Sequence, residues 1–198
     1  GHACGIELDL SSVQRNQLRN RMEDSELEIC CIATGVKMAE PDLNERAKHL
    51  DSLKHYIDLA ADLGCTRLRT FGGQRARDIE WPAIVDYVVE GFMEVLSLAR
   101  ARDVKILLET HDEWSCSAPG RSVIEQIGSE YIRVLWDFMH TQRMLETSNE
   151  SFNCLGSHVE HVHVHDGDYL DGKMRVGLLG DGVIDHQTPL DLLSKSGF

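Results

Sequence analysis

The feature that most constrains this chain is an alternation of short β-rich runs with longer stretches of helical period. The runs at 3–9, 27–33, 66–71, 104–109, 132–137 and 158–165 predict strands. Between them, Leu43, Ala47, Leu50, Leu53, Ile57, Ala60 and Ala61 fit one helical face. Val85, Val88, Phe92, Val95, Leu96 and Ala99 fit another. Asp42, with Glu45 three residues on, reads as an N-terminal cap, and Gly64 as a stop. Pro82 sits where a first helical turn tolerates a missing N–H. Strands alternating with helices pair in parallel through right-handed crossovers, so the chain reads as α/β.

Two parallel architectures compete, a doubly wound open sheet and a (β/α) TIM barrel. The open sheet expects a glycine-rich phosphate turn after its first strand. Asp9-Leu10-Ser11-Ser12 stands there instead, and no G-x-G-x-x-G occurs anywhere. The barrel expects polar residues at the carboxyl ends of several strands, and that is where they fall. No Pro/Gly/Ser-rich linker divides the chain, so residues 1–198 read as a single domain. The long irregular stretch is the glycine-rich segment 166–185, placed where barrel enzymes keep working loops.

Composition narrows the function. Twenty basic against 33 acidic residues give a formal charge of −13, which opposes nucleic-acid binding unless a basic stripe intervenes. The densest basic stretch, 67–77, holds four Arg and is broken by Gly72-Gly73. No apolar run approaches the roughly 20 residues that span a bilayer. The start, Gly1-His2-Ala3, lacks the regions of a signal peptide. The six cysteines (4, 30, 31, 65, 116 and 154) form no CxxC, and adjacent Cys30-Cys31 would face opposite sides of a strand. They read as buried free thiols, which favours a reducing, cytoplasmic setting.

The chemistry sits at strand ends. Val104-Lys105-Ile106-Leu107-Leu108-Glu109 and Val134-Leu135-Trp136-Asp137 each finish on a carboxylate. His161-Val162-His163-Val164-His165-Asp166 supplies imidazoles, all on one strand face with the valines on the other. Glu109 and Asp137 are 28 residues apart, and Asp137 and His163 are 26 apart, about one βα unit each. Parallel strands bring such ends to one rim. Taken singly, Glu109 could be solvated there and Asp137 could cap the next segment. Together, two carboxylates and an imidazole suit one divalent ion, Mn²⁺, Mg²⁺ or Co²⁺ before Zn²⁺. The remaining histidines read as packing or supporting groups.

The runs Gly5-Ile6-Glu7-Leu8, Leu107-Leu108-Glu109-Thr110-His111, Leu135-Trp136-Asp137-Phe138-Met139-His140, His161-Val162-His163-Val164-His165-Asp166 and Leu179-Gly180-Asp181-Gly182-Val183-Ile184-Asp185 carry a resemblance. Their order over almost the whole chain resembles the sugar phosphate isomerase/epimerase superfamily, whose fold is the xylose isomerase-like TIM barrel. The resemblance implies an isomerase or epimerase acting on a sugar or sugar phosphate by proton transfer through a metal-stabilised enediolate. It implies metal ligands at Glu109, Asp137 and His163, with Glu109 also the general base. His140 would contact a substrate hydroxyl, Arg175 would serve the substrate from the glycine-rich loop, and Glu7 would support or contact it. Relatives often form dimers or tetramers, so a homo-oligomer is implied as well.

The resemblance also sets out where the chain departs from the pattern. Gly5-Ile6-Glu7-Leu8 resembles the family's second strand, and the Glu of a last strand, the fourth ligand and second acid/base, would fall beyond Phe198. Six strands are legible where a closed barrel needs eight, so the chain taken alone is expected to be catalytically incomplete. Two other readings stand beside the epimerase. One is a non-catalytic or truncated barrel that binds a partner or sugar. The other is an AP endonuclease-type zinc hydrolase, against which Met174 and Val176 occupy the positions of that family's Asp-x-His pair. Trp114 lines a substrate site or packs a loop.

Overall fold

The computed structural model describes residues 6–198. Five strands form one parallel sheet, in the spatial order β1 (Ile32–Lys37), β2 (Arg67–Phe71), β3 (Lys105–Glu109), β4 (Ile132–Asp137) and β5 (Val159–His163). Sequence order equals spatial order, as successive βα units require in a barrel wall. The wall is an open arc: β1 and β5 each have one strand neighbour among the described residues.

Helices α1 (Ser12–Asp24), α2 (Leu43–Asp62), α3 (Trp81–Arg102), α4 (Ser117–Ile127), α5 (Phe138–Arg143) and α6 (Ser148–Leu155) connect these strands or precede them. Asp42 caps α2 as expected, its carboxylate accepting from the N–H groups of Asn44 and Glu45 at 2.9 Å. Pro82 lies in the first turn of α3. The core lies between the sheet and the helices. Leu68, Ile106, Leu108, Ile132, Val134 and Trp136 meet Leu53 and Ile57 of α2, Val88, Phe92 and Val95 of α3, and Val123 of α4. Fully burying such side chains stabilises by about 1.5–3 kcal/mol each. Strand alternation sends Leu107 and Leu135, with Glu109 and Asp137 above them, to the opposite, luminal face.

The structure corrects several expected boundaries. For the strand expected at 3–9, residues 3–5 lie outside the described residues. Residues 6–10 form an irregular turn in which the Leu10 N–H donates to the Glu7 carbonyl. The strand expected at 27–33 begins only at Ile32 and continues to Lys37. The reason is pairing: Ile32 faces Leu68 and β2 starts at Arg67, so the apolar residues before Cys31 have no strand opposite them. The parallel strands among the described residues therefore number five, not six.

The cysteines are corrected too. Among the described cysteines only Cys65 is buried; Cys30 is exposed and Cys31, Cys116 and Cys154 are half-buried, all as free thiols. Cys30 and Cys31 precede β1 rather than lie within a strand, and Cys4 is outside the described residues.

The segment 166–185 is not wholly irregular. It opens with an antiparallel hairpin of β6 (Asp166–Leu170) and β7 (Lys173–Gly177), and α7 (Gln187–Ser196) follows. Asp171 and Gly172 close the hairpin at φ of 52° and 71°, the left-handed conformations a two-residue hairpin turn demands. Trp114 is a packing residue, 1 % exposed and edge-on to Trp81 at 5.2 Å. Its indole occupies the space a Cβ at residue 72 would fill, so that position requires Gly. No helix among the described residues is long and apolar enough to cross a membrane.

Candidate metal centre

Glu109, Asp137 and His163 are the last residues of three adjacent strands, so the sheet itself brings them together. Asp137 and His163 are direct partners across β4 and β5. Each of the three offers one ligand atom, and those atoms lie within 4.8 Å of one another. Both carboxylates are buried.

Glu109 is the better poised of the two. Its Oε1 lies 2.7 Å from His163 Nδ1. Its Oε2 lies 3.2 Å from Arg69 Nε, but the N–H is not aimed at it, and both atoms are buried without a hydrogen-bond partner. Burial pushes this carboxyl up. The hydrogen bond to His163 and the Arg69 charge outweigh burial and hold it below the usual carboxylate range. Arg69 is itself fixed by donating to the Thr34 carbonyl at 2.7 Å and by stacking over the Phe71 ring at 3.8 Å.

Asp137 is held from three sides. Its Oδ1 accepts from the N–H groups of Met139 (3.0 Å) and His140 (3.3 Å), so it also caps α5. Its Oδ2 lies 2.7 Å from His165 Nδ1. The Asp137 backbone N–H donates to the Thr110 hydroxyl at 2.9 Å, tying β4 to the residue after Glu109. His140 reaches the same carboxylate from α5, with Nε2 3.9 Å from Oδ2. Burial lowers the His140 pKa, and the Asp137 charge opposes that without overcoming it. Its ring packs on His111 at 4.2 Å, and His111 in turn on Phe71 at 4.6 Å.

The glycine-rich loop is fastened beside this rim by Asp166. Its two carboxylate oxygens accept from the backbone N–H groups of Gly167, Gly180, Gly182 and Ile184 at 2.8–3.2 Å. A Cβ at residue 182 would overlap that carboxylate. Although burial opposes it, the four N–H groups draw the Asp166 pKa down to about 2. Beside His140 a cavity of about 350 Å³ opens, lined by His111, Asp112, Ser115, His140, Arg143, Met144 and Tyr169. A slightly larger groove between α3 and α4, about 390 Å³, carries no ionisable side chain.

Of the residues singled out in the sequence, the structure brings Glu109, Asp137, His163 and His140 to one place. Glu7 is exposed ahead of α1. Arg175 is exposed on β7 opposite Asp168. Neither belongs to the three-residue cluster or lines the cavity beside His140. Two neighbours of the cluster were not assigned from the sequence, Arg69 on Glu109 and His111 on His140; His165, read there as a packing or supporting group, lies on Asp137. The alternation Arg67-Leu68-Arg69-Thr70-Phe71 was the available signal for Arg69. It puts the arginines on the face opposite the apolar core.

Residues 3–198 match the family model described as a xylose isomerase-like TIM barrel. Among solved structures, the chain is similar to the apo form of 3-keto-D-glucoside 4-epimerase, YcjR, from E. coli. That match has a TM-score of 0.80 and 12% identity, covering 98% of this chain and 76% of that one. It is similar to the IOLI protein with a binding zinc atom (TM-score 0.83, 17% identity, 96% and 70% covered). It is similar also to D-psicose 3-epimerase in the presence of D-fructose (0.79, 15%, 96% and 68%). At these identities the likeness carries the fold alone. No curated protein matches the chain.

Proposed function

The chain belongs to the xylose isomerase-like TIM barrel family, and on that premise we propose that its carboxyl-terminal rim serves a divalent-metal-dependent isomerase or epimerase. The substrate would be a sugar or sugar-like ketose. One observation carries the reading: three ligand atoms within 4.8 Å on adjacent strand ends, beside a buried Glu109 oxygen with no hydrogen-bond partner. A buried acceptor left unsatisfied costs about 1–3 kcal/mol, and a cation would satisfy it. Two carboxylates and an imidazole fit Mn²⁺, Mg²⁺, Co²⁺ or Zn²⁺.

Glu109, Asp137 and His163 would hold the ion, which supplies Lewis-acid charge for proton removal beside a carbonyl. The protein's own groups do the rest. Glu109, kept ionised by His163 and Arg69, accepts the carbon-bound proton as general base. The fixed Arg69 guanidinium keeps that carboxylate oriented. His165 and the backbone of α5 hold Asp137 in one rotamer. His140, neutral through burial, offers its ring to a substrate hydroxyl. The epimerases of similar structure, one of them in the presence of D-fructose, and the similar zinc-binding protein are consistent with this reading.

Two measurements test it. Metal analysis after dialysis against Mn²⁺ should find an equimolar ion. A panel of ketoses in D₂O should include one whose carbon-bound proton exchanges, and Glu109→Gln should abolish that exchange. Absence of bound metal together with absence of exchange across the panel overturns the proposal.

A further inference from the structure

The cavity beside His140 has a cationic wall that the metal reading does not use. Arg143 ends α5, the short helix that begins directly after the candidate ligand Asp137 and is capped by it. Arg15, Arg67, Arg75, Arg102 and Arg121 each hold a carboxylate, whereas Arg21, Arg77 and Arg175 hold none among the described residues and do not line the rim cavity. Arg143 forms no ion pair or hydrogen bond among the described residues, in a chain of 33 acidic and 20 basic residues. The carboxylate on the cavity wall, Asp112, is drawn instead to His111, with Oδ1 3.0 Å from Nδ1. The His111 and His140 imidazoles line the cavity next to Arg143, and Tyr169 brings a phenol from the β6–β7 hairpin. An exposed guanidinium with no partner among the described residues, lining one cavity with two imidazoles and a phenol, offers donors that suit an oxyanion. At about 350 Å³ the cavity is at the small end of ligand pockets.

From this we infer that the cavity seats a negatively charged end of the substrate, a phosphoester or a carboxylate, and that Arg143 determines this specificity. The inference rests on the proposed reading of the rim for the identity of the reacting end, with His140 as the boundary between the two parts. Its ligand chemistry is independent of the metal.

The test uses the full chain and two probes, inorganic phosphate and acetate, titrated against matched chloride and read by the NMR shifts of the His111 and His140 imidazoles. Saturable shifts at both rings are expected. Arg143→Ala should weaken binding roughly tenfold, the loss of one charge-assisted contact. Arg143→Lys should recover part of it, and Arg121→Ala, at an exposed pair with Glu125, should change nothing. Tighter phosphate assigns a phosphoester, and tighter acetate a carboxylate. Absence of saturable shifts, or equal affinity in wild type and Arg143→Ala, overturns the inference. A parallel Mn²⁺ titration separates the two readings: phosphate bound without Mn²⁺ defeats the metal centre alone, and Mn²⁺ bound without phosphate defeats this inference alone.

Discussion

The two ends of the same sheet use charge in opposite ways. At the amino end, Arg67 and Lys105 begin β2 and β3, and both reach Glu160 of β5, at 3.5 and 2.8 Å. Opposite charges pair there, although Arg67 Nε makes no hydrogen bond, and the arrangement ties non-adjacent strands across the lumen. At the carboxyl end, two buried carboxylates and several imidazoles crowd together, and one Glu109 oxygen is left without a hydrogen-bond donor. Leu107 and Leu135 lie between the two levels. Two buried carboxylates gathered with an imidazole so that three ligand atoms lie within 4.8 Å cost a fold stability unless a cation joins them, so the amino end reads as structural and the carboxyl end as functional.

The largest effect that could break this contrast is on metal affinity. Asp137→Asn keeps an oxygen to cap α5 but removes the ligand charge. Its Mn²⁺ affinity should fall by more than the roughly 10–100-fold that follows loss of an outer partner. Titration calorimetry checks this, and unchanged affinity with an intact fold refutes Asp137 as a ligand. At the opposite end, Glu160→Gln leaves Arg67 and Lys105 without a counter-charge. It should cost on the order of 1–2 kcal/mol in urea unfolding while Mn²⁺ affinity stays within error. A metal defect in that variant would erase the distinction between the ends.

Two pH effects are smaller. Glu109 titrates below the usual range when folded, so its contribution to stability is present above the ordinary carboxyl pKa and lost as pH falls through the folded value. Arg69→Met should raise the Glu109 titration midpoint, followed by carboxyl ¹³C shifts in metal-free protein. No movement means that Arg69 does not act on that carboxylate. Asp166 has the same sign: lowered from 3.8 to about 2, its hold on Gly180 and Gly182 is complete above pH 4 and lost toward pH 2. Amide exchange at those glycines should rise over that window and before the β3 and β4 amides respond.

Much of this was legible in the sequence because it rests on local pattern. Ile132–Asp137 forms the strand its apolar run predicts, and α3 buries the face its periodicity marks. Helix α2 buries Leu50, Leu53, Ile57 and Ala60 of its marked face but leaves Leu43 and Ala47 exposed. Where a run lacks a partner, the pattern misleads. Leu27, in the run expected to be a strand, is 65% exposed, while Gly35, a poor strand former, sits inside β1 because β2 lies opposite. The hairpin had a signal that glycine content obscured: Asp171-Gly172 is a favoured two-residue turn.

The sequence by itself determined that the chain is built of βα units and that Glu109, Asp137 and His163 close successive strands, because periodicity and strand endings are properties of neighbours along the chain. Only the tertiary structure decided which of those ends share a proton-bearing hydrogen bond, that Arg69 stands beside Glu109, and that Arg143 and Tyr169 face one cavity. Those relations depend on strand register and on where a hairpin folds back, and these are set by packing between residues far apart in sequence.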